Sequence, residues 1–228
     1  TVADKAVFAG DPMQLPPTLY SREAASEGLA VTLFEELQKR LPEAGRTLLR
    51  VQYRMHEVLM GFSSERFYEG RLIAHDSVAR HLARDLPHVQ ANDLTEVPLI
   101  FVDTAGASFD EAWNEMLESR ENAQEAELAV KLANALLGAG LAPRELALIT
   151  PYVAQARRLK AHMRASGVEV GSVDGFQGRE TEAVIVSLVR SNETGEIGFL
   201  GDTRRMNVAL TRARRLLIVL GDSATIGR

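Results

Sequence analysis

The sequence predicts an α/β fold, a parallel sheet with helices on both faces. Short, β-branched apolar runs alternate with helix-periodic segments along nearly the whole chain, the pattern of repeated strand–helix–strand units. One run, Ala183–Val189, is apolar almost without interruption, as a strand buried on both faces must be. The polar, unusual segments directly follow the apolar runs, where such a sheet presents its ligand sites.

The elements follow in order. Ala6–Ala9 reads as a strand that ends at Gly10, Asp11 and Pro12. Thr32–Leu41 reads as a helix, with Thr32 and Glu35 spaced as a capping box. Thr47–Val51 is a second strand, followed by a helix over Glu57–Phe67. Residues 74–97 have weak periodicity and read as a surface excursion. Leu99–Val102 is a strand, Asp110–Asn122 an acidic connection, and Ala123–Leu137 a helix closed by Gly138 and Gly140. Leu146–Ile149 is a strand running into Thr150, Pro151 and Tyr152, with a helix to about Ala165. Val168–Val173 enters a glycine-rich turn. After Ala183–Val189, a helix over Thr203–Arg214 leads into the last strand, Leu216–Leu220.

Composition narrows the function. The 228 residues carry a net charge of −5, which argues against a protein that coats nucleic acid by bulk basicity. The first 140 residues hold 13 basic and 22 acidic groups, a net of −9, and the remainder 13 and 9, a net of +4. Arginine outnumbers lysine 22 to 4, and arginine is the better fork for phosphate oxygens. With no cysteine, disulfides, thiolate metal sites and cysteine nucleophiles are excluded. No run approaches the ~18 apolar residues of a membrane span, and the first residues do not read as a signal peptide. A cytoplasmic setting is the expectation. The five histidines show no metal-ligand spacing, and no metal site is expected in the acidic run Asp110–Glu127, which reads as solvated. Asp103–Gly106 fits a short GTP-site pattern, but no phosphate loop precedes it, and the match is set aside.

Seven segments carry the chemistry: Gly10–Pro17 (GDPMQLPP), Val51–His56 (VQYRMH), Phe67–Gly70 (FYEG), Ile149–Tyr152 (ITPY), Ser172–Glu180 (SVDGFQGRE), Ser187–Asn192 (SLVRSN) and Asn207–Arg214 (NVALTRAR). In this order they resemble a superfamily 1 helicase of the RNA-decay type, the group of the nonsense-mediated-decay helicase and the immunoglobulin mu-binding helicase. The likeness covers most of the chain from Ala6 to Asp222. It implies a RecA-like sheet.

The resemblance also implies roles. Gln14 is similar to the glutamine that senses the γ-phosphate, since an amide both donates to phosphate and accepts from water. Tyr53 resembles the aromatic that stacks on adenine. Arg54 and Arg212 resemble arginine fingers, permanently charged forks placed against the γ-phosphate as charge shifts in the transition state. Glu180 resembles the carboxylate that accepts from the ribose hydroxyls. Gly178, with Gly175, lets the loop around Phe176 and Gln177 turn tightly against a ligand. Arg205, Ala209 and Arg212 would share one face of the Thr203–Arg214 helix. Pro151, Tyr152, Ser172, Ser187 and Arg190 would line a groove for a single strand of DNA or RNA, held without reading sequence. The basic residues Arg157, Arg158, Lys160 and Arg164 read as a solvated helix face.

One part of a helicase is missing from the sequence. A phosphate loop needs glycine before its lysine, and the four lysines follow Asp4, Gln38, Val130 and Leu159. The expectation is therefore a piece of a motor. Residues 1–45 would be the tail of a first RecA-like domain with a connector, and residues 46–228 the second RecA-like domain. ATP and Mg²⁺ would be held mainly by the first domain, which is also the expected partner, and no membrane is expected. The parent would be a 5′→3′ translocase and the piece alone inactive as an ATPase. The competing reading is a stand-alone nucleic-acid-binding or adaptor domain with a helicase-like fold. Retention of Gln14, Arg54, Glu180 and Arg212 together weighs against it.

Overall fold

A computed structural model describes residues 4–16, 19 and 21–227, leaving out the side chain of Arg22. The chain forms two compact units, residues 1–49 and 50–228.

The first unit carries a single helical turn, α1 (Arg22–Ala24), and α2 (Leu33–Arg40). α2 starts where the capping box puts it. Thr32 Oγ1 accepts the Glu35 N–H at 3.2 Å, and the Glu35 carboxylate accepts the Thr32 N–H at 2.7 Å. Two backbone donors without helical partners are thereby satisfied. The strand expected at Ala6–Ala9 is not formed, and Val7 and Phe8 stand exposed. A strand exists only where a neighbour takes its backbone N–H and C=O groups, and these residues have none in a sheet. No described residue of this unit is buried, so it has no core of its own.

The second unit is built on nine strands: β1 (Val51–Gln52), β2 (Ile73–Ala74), β3 (Leu99–Asp103), β4 (Ala112–Asn114), β5 (Ser119–Glu121), β6 (Leu146–Thr150), β7 (Glu169–Ser172), β8 (Thr181–Ser187) and β9 (Ala213–Gly221). Its helices are α3 (Glu57–Phe67), α4 (Ala123–Gly138), α5 (Val153–His162), α6 (Thr203–Leu210) and α7 (Ser223–Ile226). Five strands form one parallel sheet in the order β3-β9-β8-β6-β7. Registers place Leu148, Ile185, Ile218 and Ile100 in one row across it, on the face packed by α4. The alternate residues of the central strands, such as Ile149, Val184 and Val186, are buried too. Both faces of β8 are therefore covered, and each fully buried aliphatic side chain contributes about 1.5–3 kcal/mol.

Four expectations change. The strand at Thr47–Val51 shrinks to Val51–Gln52, which pairs only with Ile73–Ala74 in a two-stranded sheet apart from the main one. The segment 74–97 is not wholly superficial: Ala83 is buried in the core, with Leu86, Val89 and Leu94 packed against it. The acidic connection Asp110–Asn122 contains an antiparallel hairpin, β4–β5. The carboxylates of the run Asp110–Glu127 are not all solvated, because Glu111 and Glu121 pair with arginines and Glu125 is buried. Finally, α6 ends at Leu210 and β9 begins at Ala213, which leaves Arg212 in the turn between them and off the face shared with Arg205.

Candidate functional site

The connection after β7 divides the expected site in two. Ser172 ends β7 at the carboxyl edge of the sheet, and Thr181 opens β8 at the amino edge. Residues 173–180 therefore run the height of the sheet, and the seven residues of β8 separate the edges by roughly 20 Å. The expected row of sites along carboxyl ends is instead two clusters at opposite edges.

The amino-edge cluster gathers Tyr53, Arg54, Glu180 and Arg212. Gln52 Oε1 accepts the N–H groups of Arg54 at 2.8 Å and Met55 at 2.7 Å, which fixes the turn after β1. From that turn Arg54 forms an ion pair with Glu180 and donates to the Thr211 carbonyl at 3.2 Å. Arg214 lies 4.0 Å from Glu180 on its other side and 3.0 Å from Glu182. Tyr53 is 61% exposed, and its ring lies 4.4 Å from that of His75. His56 caps α3, its Nδ1 accepting the Val58 N–H at 3.1 Å. Burial lowers the pKa of His56 against the opposing pull of Glu57, which favours the neutral ring that this cap requires.

Arg212 sits differently. Its side chain is 1% exposed. Nε donates to Val208 O at 2.9 Å, one terminal nitrogen to Arg179 O at 3.0 Å and the other to Thr211 Oγ1 at 3.1 Å. In this arrangement the fork bonds two backbone carbonyls and the Thr211 hydroxyl. Gly178, in the loop before Glu180, has φ +84°, and a Cβ there would meet nothing within 4 Å. Glycine serves this loop through its left-handed backbone. Gln14 belongs to the first unit, where its amide donates to Asp11 Oδ2 at 2.9 Å. Pro17, the last residue of that segment, lies outside the described residues.

The residues read from sequence as a groove fall at or after the carboxyl ends of their strands. Pro151, Tyr152, Ser187 and Arg190 are all buried, and only Ser172 is half-buried. The Ser187 hydroxyl donates to Glu125 Oε1 at 2.6 Å and accepts from Gln155 Nε2 at 2.9 Å. Ser187 lies in the row facing α4, so an inward direction follows from strand alternation. Arg190 Nε donates to Glu111 Oε2 at 2.7 Å, and its Nη1 to Tyr152 Oη at 3.5 Å. Burial opposes this charge, but the bonds from Glu111 and Tyr152 prevail and hold its pKa above the ordinary value. These four side chains build the edge from beneath.

The sequence reading passed over Glu111, Glu125 and Gln155, on which that edge depends. One signal was present for Glu125. It stands four and eight residues before Ala129 and Ala133, on the apolar stripe of α4, where a carboxylate is buried. Among the described residues no group of histidines and carboxylates is gathered to hold a metal ion.

The amino edge offers an aromatic face, a permanent cation and a carboxylate together, equipment suited to a ligand with a flat ring and anionic groups. Comparison with known proteins agrees with the motifs. Residues 29–224 match the family model described as an AAA domain. The chain is 46% identical over 226 residues to the DNA-binding protein SMUBP-2 of Rattus norvegicus, covering 98% of this chain and 23% of that protein. It is 39% identical over 226 residues to an uncharacterized ATP-dependent helicase of Methanocaldococcus jannaschii, covering 96% and 32%. With regulator of nonsense transcripts 1 of Dictyostelium discoideum it shares 38% over 239 residues, covering 99% and 17%. The chain thus spans a third or less of each of these relatives. On the matched domain and the motifs it carries, this chain belongs to the AAA domain family, among superfamily 1 helicases.

Proposed function

We propose that this chain is the second motor domain of an ATP-dependent helicase that moves 5′→3′ along single-stranded DNA or RNA. The observation that carries the reading is the meeting of Arg54, Glu180 and Arg212 around the Thr211 turn at one sheet edge. ATP, with Mg²⁺, would be held mainly by a preceding RecA-like domain, and its hydrolysis supplies the free energy for motion. The first unit, with no core of its own, suits the tail of such a domain, and Gln14 would sense the γ-phosphate there.

The residues present fit a nucleotide unevenly. The exposed ring of Tyr53 would stack on adenine, and the Glu180 carboxylate, released by Arg54, would accept from ribose hydroxyls. Arg54 is part-exposed and would exchange Glu180 for a phosphate without being desolvated anew. Arg212 has to release the Arg179 carbonyl before it reaches a phosphate.

The test compares the chain alone with the chain joined to its preceding domain. Alone, it should bind ATP weakly and hydrolyse none. Joined, it should turn over ATP when single-stranded oligonucleotide is added, and Arg54→Ala should abolish that stimulation. Strand-stimulated turnover by the chain alone, lost on Arg212→Ala, overturns the reading.

A further inference from the structure

All but Ser172 of the residues expected to meet a strand at the carboxyl edge are covered, with Tyr152 3% exposed and Arg190 2%. The aromatic surface there belongs to Phe199, on the turn Gly198–Gly201, which is 53% exposed. Its ring centroid lies 5.4 Å from that of Tyr152, and the Arg205 guanidinium stands 5.2 Å from the Phe199 ring centre. The turn has a built seat. Gly198 has φ +52°, and a Cβ there would fall 2.2 Å from Arg190 Nη1 and 3.0 Å from Tyr152 Oη, so glycine lets the backbone settle there without displacing them. Glu111 in turn fixes Arg190 at 2.7 Å. The buried Arg190–Tyr152 pair is a pedestal, and it lifts an aromatic ring with a cation beside it into solvent.

We infer that Phe199 is a base-stacking contact for single-stranded nucleic acid, steadied by Arg205 on its ring. The inference rests on the reading of this chain as a strand-binding motor domain. Every base has a π face, so an exposed ring grips a strand without reading its sequence. Arg205 is held by Asp202 at 3.1 Å and Asp174 at 3.4 Å, which orients its plane on the ring and leaves little net charge. Stacking rather than phosphate neutralisation is therefore the main contribution, and the contact should depend little on salt.

The test is binding of a fluorescently labelled oligothymidylate, read as anisotropy over a range of salt. Phe199→Ala is expected to weaken binding about fivefold to a hundredfold at every salt concentration, without changing the salt slope. Phe199→Tyr should keep most of the affinity. Trp113 is the chain's one tryptophan, so Phe199→Trp in a Trp113→Phe background places a single reporter at the site. Its emission should quench at the midpoint the anisotropy gives, and this readout decides the matter if the alanine variant folds poorly. Unchanged affinity in a folded Phe199→Ala, or an emission indifferent to bound strand, overturns the contact while leaving strand binding intact. No binding of the oligonucleotide by the unchanged protein overturns both.

Discussion

Glu125 on α4 accepts a hydrogen bond of 2.6 Å from Ser187 at the end of β8, in a site where both side chains are buried. The same oxygen accepts the Val189 N–H at 2.9 Å. Val189 has φ 74°, and the Arg190 N–H closes a tight turn around it onto Leu188 O at 2.9 Å. A β-branched residue in that region costs about 1–3 kcal/mol. The carboxylate thus holds the strained turn from which Arg190 reaches Glu111 and Tyr152.

Burial, the main cause, raises the pKa of Glu125 to about 7, Asp222 adding to it and the bonds from Ser187, Val189 and Leu188 opposing. The unfolded group titrates near 4.5. Between those values the folded state holds the extra proton, so stability falls as pH rises from about 4.5 to about 7 and is flat above. The contribution amounts to up to about 3 kcal/mol. Glu125→Gln keeps the shape and removes the titration. Urea unfolding at several pH values should show the unchanged chain losing that much relative to the variant across this window. Parallel pH dependence in the two proteins would refute it.

Arg54 and Glu180 form an ion pair that is more than a third exposed on the side chains, a setting in which such pairs are worth ~0–1 kcal/mol. Arg54→Ala should therefore leave the melting temperature nearly unchanged. If Arg54 acts on a γ-phosphate, the same substitution in the joined motor should lower ATP turnover about 10³-fold or more. A large stability loss with proportionate activity loss would make Arg54 structural.

The sheet was legible because β6, β8 and β9 are long apolar runs whose burial needs no local signal. The α2 start was legible because Thr32 and Glu35 are spaced as a capping box; the cap that His56 provides to α3 was not read from the sequence. Two kinds of feature were not. Ala6–Ala9 has strand composition, but composition does not supply a pairing partner. Ser187 and Arg190 carry polar side chains that sequence reads as ligand groups, whereas their partners Glu125 and Glu111 stand more than sixty residues earlier. Arg54 and Glu180, named from motifs 126 residues apart, meet in one part-exposed pair, whereas Pro151, Tyr152, Ser187 and Arg190 at the carboxyl edge are buried.

Arg212 tests how far a buried arginine is structural. Its guanidinium donates to two backbone carbonyls and the Thr211 hydroxyl. Arg212→Ala strips buried acceptors of their donors and leaves a cavity, so the chain should lose about 2–4 kcal/mol of stability. Arg212→Lys keeps the charge but cannot reproduce the three-way geometry. It should fall between the two in denaturant midpoint. A change within about 0.5 kcal/mol for the alanine variant would mean that these bonds are readily exchanged for water.

The end of α4 offers an opposing pair of glycines. Gly138 is the last helical residue, and a Cβ there meets nothing within 4 Å. Gly138→Ala should stabilise the chain by about 0.4–1 kcal/mol, chiefly by restricting the unfolded state. Gly140 has φ +102°, and a Cβ would fall 2.0 Å from the His88 carbonyl oxygen. Backbone cannot yield as a flexible side chain can, so Gly140→Ala should cost more than about 2 kcal/mol, strain and clash acting together. Thermal unfolding of the two variants should therefore move in opposite directions. A Gly140→Ala protein as stable as the unchanged chain would mean that the 88–90 segment is not seated against the end of α4, where Gln90 N–H now donates to Ala139 O at 2.7 Å.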